Sequence, residues 1–135
     1  MTAGGFPLRI IHKVTGLILF AHGARDPRWA EPFERLQRKI QSARPGLPVL
    51  LAYLEIMQPD LAGAADALIA AGCRSLRVVP VFLGQGGHVR DDLPAMIATL
   101  AARHPAIAIA VATPVGEHDA VLDRIADVAI EGLPT

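Results

Sequence analysis

Residues Val14–Ala21 read VTGLILFA and run directly into His22-Gly23. The run is apolar almost throughout, which marks a strand covered on both faces rather than one with a wet side. After it, Trp29–Ala43 sets Phe33, Leu36 and Ile40 at helical spacing with charges between them, and Pro45-Gly46 stops the helix. The same alternation continues outward. A strand over Pro48–Leu54 ends at Glu55, and a helix over about Asp60–Ala71 is followed by Gly72 as its left-handed cap. A third strand, Leu76–Leu83, contains Pro80, which removes a ladder donor and predicts a bulge or an early end there. A helix over about Asp92–Arg103, with Pro94 in its first turn, a strand over Ile107–Ala112 and a helix over about Glu117–Ile130 complete the pattern. Asp91 and Asp92 are expected to cap the third helix. Four strand–helix repeats predict an α/β fold: a single flavodoxin-like, three-layer domain with a four-stranded parallel sheet in the order 2-1-3-4.

Composition narrows the class of function. The chain has 135 residues, 52% hydrophobic and 19% charged, far from a disordered profile. Thirteen basic side chains balance thirteen acidic ones, so no broad field draws it to nucleic acid or to an anionic membrane. Aromatics make up 4%, too few for a base-stacking surface. No apolar run approaches the roughly 20 residues needed to span a bilayer. Residues 1–13 (MTAGGFPLRIIHK) lack the apolar centre and cleavage site of a secretory signal, and are expected to form a leader ahead of one domain over 14–135. The single cysteine, Cys73, excludes an internal disulfide and a cysteine-rich metal cluster within one chain. A cytoplasmic setting is expected.

The chemistry gathers at the strand ends. In sheets of this kind ligands bind outside the carboxyl ends, near the switch in strand order. The first strand ends at His22, the second at Glu55, and the third runs into Gly84-Gln85-Gly86-Gly87-His88. Neighbouring strands lie about 4.8 Å apart, so side chains from three adjacent ends can converge on one ion. Two imidazoles and a carboxylate suit a divalent transition metal and leave coordination positions open. Taken singly each is weak: a loop histidine is more often solvated, and Glu55 also suits the start of the next helix. Gly84, Gly86 and Gly87 allow close approach of a flat ligand, although the same glycines also make a plain turn. Arg25, Arg28 and Arg90 flank the histidines and suit the carboxylates of an acidic ligand; local pairing with Asp26, Asp91 and Asp92 competes equally. His104 falls at a helix end where it complements the dipole, His118 opens the last helix, and His12 lies in the leader.

Other motifs are excluded. Val89 stands where a dinucleotide loop needs its third glycine, and no Gly-Lys-Ser/Thr follows the glycines. Serine occurs only at Ser42 and Ser75, so there is no nucleophile elbow. Ala21 stands where a histidine phosphatase has an arginine before its nucleophile. Two readings of another class remain: a non-catalytic carrier of a metal or of a flat ligand, and a phosphate-binding module with Gly84–Gly87 as an anion nest.

The segments Leu19–Trp29 (LFAHGARDPRW), Tyr53–Glu55 (YLE) and Val78–Pro94 (VVPVFLGQGGHVRDDLP) together resemble the short CbiX-type sirohydrochlorin chelatases. The similarity runs from about Thr15 to Ile130. One departure is Ala24, where HGSRDP-like forms carry serine. The resemblance implies ATP-independent insertion of a divalent metal into sirohydrochlorin, with Co²⁺ the first expectation in a route to cobalamin and Fe²⁺ or Ni²⁺ the metals of related enzymes. No organic cofactor is implied. It also implies a homodimer with clefts near the subunit boundary. His22 and His88 match the family's metal-binding histidines, and Glu55 matches the acid that joins them in some members.

Overall fold

Every residue from Ile18 to Ala21 is buried, because the first strand is an inside strand of the sheet. A computed structural model describes residues 14–84 and 86–135, and Gly87 and His88 in their backbone placement only. The expected leader, with His12, lies outside the described residues, as does Gln85. Strand β1 (Thr15–Ala21) pairs in parallel with β2 (Val49–Tyr53) on one side and β3 (Ser75–Pro80) on the other, and β4 (Ala108–Val111) joins β3. The order is β2-β1-β3-β4, as the sequence predicts. In register, Ala21 stands beside Tyr53 and Phe20 beside Pro80.

Alternation along β1 divides the core into two layers. Ile18 and Phe20 pack with Leu61, Ala64 and Leu68 of helix α2 (Leu61–Ala70) and with Val89, Leu93 and Leu100 of α3 (Gly87–Arg103). Leu19 and Ala21 face the opposite way, toward Trp29 and toward Phe33, Leu36 and Ile40 of α1 (Glu31–Ala43). A 3₁₀ turn at Pro27–Ala30 precedes α1, and a second at Val115–Glu117 precedes α4 (Asp119–Ile130). Asp60 caps α2 by accepting the Gly63 N–H at 2.8 Å. Cys73 is buried beside Gly16, where burial pushes its thiol pKa up; it is a packing residue at the amino end of the sheet.

The stretch between β3 and α3 corrects the sequence-based expectation. Strand β3 does end at Pro80, but α3 begins at Gly87 rather than at Asp92. The reason is burial: an early start brings Val89 and Leu93, four apart on one helical face, into the core. That gain outweighs the poor helix propensity of glycine at the first position. As a result His88 belongs to the first turn of a helix instead of a loop, and Asp91 and Asp92 lie inside that helix instead of capping it. Gly86 holds the cap position, and Pro94 falls within the helix beyond its first turn.

At the far end of α3, His104 is more than a dipole partner. Its Nε2 lies 2.9 Å from an Asp66 carboxylate oxygen, and Arg103 reaches the same carboxylate at 3.1 Å. The hydrogen bond from His104, joined by Arg103, holds the Asp66 carboxyl below its usual range and ties α3 to α2. Among the described residues no helix is long and apolar enough to cross a membrane.

Candidate active site

The hydrogen-bond ladder between β1 and β2 runs past the end of both strands. The Leu54 N–H donates to the Ala21 carbonyl at 2.9 Å, and the Glu55 N–H donates to the His22 carbonyl at 3.1 Å. His22 and Glu55 are therefore held side by side by backbone bonds, at the carboxyl rim of the inside strand. Their side chains meet at 3.8 Å, Nε2 to Oε2, and each is about half exposed, at 49% and 52%. That distance is too long for a hydrogen bond. It suits two ligands of one ion, since atoms each about 2.1 Å from a shared metal stand up to roughly 4.2 Å apart.

Gly23 makes this closeness possible. Its φ is +97°, and a Cβ at that position would run into the carbonyl oxygen of Glu55. Only glycine permits both the backbone conformation and the contact. Nothing in the sequence names the partner of that contact, although a glycine directly after a strand-end histidine is the signal for one.

The third expected ligand lies on the same rim. His88 sits in the first turn of α3, the helix entered from β3, which neighbours β1. Its side chain is outside the described set, so the pair His22–Glu55 is what the structure brings together of the expected three. Among the described residues no three or more His, Cys, Asp or Glu are grouped so that they could hold a metal ion.

The flanking arginines divide. Arg28 is turned onto Asp26, with its guanidinium 2.7 Å from one carboxylate oxygen, and Asp26 also accepts the Arg28 N–H at 2.9 Å to start the 3₁₀ turn. The Arg28 hydrogen bond lowers the Asp26 pKa, and Asp26 in turn raises that of Arg28. Local pairing, the competing expectation, thus describes Arg28. Arg25 instead lines an open cleft of about 360 Å³ together with Tyr53, Ile56 and Met57. Arg90 borders an apolar cleft of about 400 Å³ between α3 and β4, beside Leu93, Ile97 and Val111. Gly84 and Gly86 have open space where a side chain would be.

Two further features of the rim were not expected. Ile56, directly after Glu55, has φ +68° and is 59% exposed. Beyond β3, Phe82 packs edge-to-face on Phe20 at 5.9 Å and its carbonyl accepts the Gly116 N–H at 2.9 Å. A Cβ on Gly116 would collide with the Leu83 backbone, so the turn at Val115–Glu117 braces the segment leading to α3.

Comparison with known proteins identifies the family and the fold. The chain is 26% identical over 118 residues to the sirohydrochlorin ferrochelatase of Arabidopsis thaliana chloroplasts, covering 87% of this chain and 52% of that one. It is 24% identical over 112 residues to the sirohydrochlorin cobaltochelatase of Priestia megaterium, covering 83% and 36%. The chain thus spans about half, or less, of the length of these relatives. Among solved structures, a cobalamin-biosynthesis CbiX protein from Marinobacter aquaeolei superposes with a TM-score of 0.77 at 36% identity, covering 87% of this chain and 95% of that one. The CbiX family model matches residues 16–131, nearly the whole described chain, and the protein belongs to the CbiX family.

Proposed function

We propose that this protein is a sirohydrochlorin chelatase that inserts a divalent metal without ATP. The observation that carries the reading is the His22–Glu55 pair, held 3.8 Å apart at the rim of the sheet and half open to solvent. A chelatase must hold its metal loosely enough to give it away, so a partial, exposed donor set suits it better than a closed site of four ligands. His22 and His88 hold the ion and Glu55 completes the set. The macrocycle lies over the rim, with Arg25 and Arg90 meeting its acidic substituents. As the metal enters, two pyrrole protons leave, and the exposed imidazole and carboxylate beside the ion are the groups placed to accept them.

Co²⁺ is the proposed metal, supported by the cobaltochelatase relative; the ferrochelatase relative, at similar identity, makes Fe²⁺ the competitor to test. The proposed assembly is a homodimer of domains over 14–135. Three apolar side chains at helical spacing on α4, Leu122, Ile125 and Val128, are 43%, 42% and 58% exposed, and no residue of that helix is buried. An amphipathic face of this kind stabilises a helix only when something covers it. A relative of which the match covers only 52% is consistent with a second copy as the cover. The cytoplasm is the proposed location.

The test is metal insertion by purified protein, with sirohydrochlorin and each of Co²⁺, Fe²⁺ and Ni²⁺ in turn, followed by visible absorbance. Repeated turnover with Co²⁺ fastest is the expected result. A spectral change that stops at one macrocycle per chain would make the protein a carrier instead.

A further inference from the structure

Ile56 is a β-branched residue in a backbone conformation that such residues rarely adopt, and it is exposed. Isoleucine at φ +68° is strained, and asparagine or glycine would relieve it. The strain earns no packing in return, since the side chain is 59% exposed. A costly residue that the fold does not need points to a requirement outside the folding of the chain. On the other side of the rim, Leu83 is 64% exposed. Ile56 lies beyond the end of β2 and Leu83 beyond the end of β3, while His22 directly follows β1 between them. The strands that lead to the two apolar residues are two spacings apart, roughly 10 Å within the sheet, and the strand between them leads to His22. Leu83 is also held: Phe82 before it is anchored on Phe20, and Gly116 lies against its backbone.

We infer that Ile56 and Leu83 form two apolar supports on which the flat face of the tetrapyrrole rests, centring it over His22. This rests on the chelatase reading and adds to it a pair of substrate-positioning residues. The span suits a macrocycle whose apolar ring lies across the rim and whose charged substituents point outward. Isolated exposed apolar residues are common on proteins; two that straddle a metal ligand, one of them at a backbone cost, are a matched pair.

The test uses full-length wild-type protein and the variants Ile56→Asn, Leu83→Ser and Leu83→Met. Each is titrated with metal-free sirohydrochlorin by absorbance, with Co²⁺ alone by calorimetry, and by thermal melting. Ile56→Asn is expected to raise Tm, because asparagine tolerates the left-handed conformation, and yet to weaken macrocycle binding about tenfold. Leu83→Ser is expected to weaken it about tenfold and Leu83→Met to retain it. Co²⁺ binding should be unchanged in all three. If wild-type protein binds the macrocycle and the asparagine and serine variants bind it equally well, the inference is overturned while the chelatase reading stands. If wild-type protein binds no macrocycle, both fall.

Discussion

The carbonyl oxygen of Glu55 fills the space that a side chain on Gly23 would need. This contact sets the separation between the loop leaving β1 and the end of β2, and with it the separation of His22 from Glu55. Gly23→Ala should therefore cost about 2 kcal/mol or more in stability, from the positive φ and the collision together. It should also weaken Co²⁺ binding, since Glu55 must shift. Chemical denaturation and calorimetric Co²⁺ titration check both; an unaltered metal affinity would detach Glu55 from the site.

Arg25 and Arg28 are close in sequence and differ in use. Arg28 is occupied by Asp26, whereas Arg25 lines the cleft beside Ile56. Arg25→Ala is expected to raise KM for sirohydrochlorin by about fivefold to tenfold with kcat little changed, the signature of lost substrate binding. Arg28→Ala should change KM by less than about twofold. Steady-state kinetics at saturating metal distinguish them.

Asp66 gives a pH dependence of stability with a definite sign. Its folded-state pKa is held down, chiefly by the His104 hydrogen bond and then by Arg103. The carboxylate therefore favours the folded form at pH values above its unfolded pKa, and this contribution disappears as pH falls through the folded value. Asp66→Asn should be less stable than wild type near neutrality by up to about 1 kcal/mol, because the ion pairs are part-exposed. The difference should shrink to nothing below the usual carboxylate range. Tm measured from pH 7 to strongly acid solution tests it, and a gap that persists in acid would assign the loss to packing.

The exposed face of α4 predicts self-association. Wild-type protein should sediment as two chains at micromolar concentration, and Leu122→Asp combined with Ile125→Asp should sediment as one. The charged substitutions fall on exposed positions, so the monomer should keep its secondary structure by circular dichroism. A wild-type monomer would leave that face unexplained.

Much of this molecule was legible in its sequence, and the exceptions share a cause. The strands of the core were readable because Ile18 to Ala21 are apolar on both faces, and Pro80 announced the end of β3 by what it cannot donate. His22 and Glu55 were readable as neighbours because the flavodoxin-like order, taken from fold statistics and not from the residues themselves, sets strands 1 and 2 side by side. The start of α3 was not, since glycines at 84, 86 and 87 signal a loop locally and only the burial of Val89 against distant strands overrides them. Neither the choice of Arg28 for Asp26 nor the left-handed turn at Ile56 follows from local composition. The first is a local contact that the sequence offered as one of two equal alternatives, and the second shows only in the backbone beyond β2. For the start of α3, tertiary burial overrode local propensity.

Whether His22 and His88 bind the same metal ion is decided by a double-mutant cycle in Co²⁺ affinity. Two ligands of one ion are strongly coupled, so His22→Ala and His88→Ala should each weaken binding by about tenfold or more, and the double variant by much less than the product of the two. Losses that multiply cleanly, or a second Co²⁺ that either variant alone removes, would place the two imidazoles on separate ions.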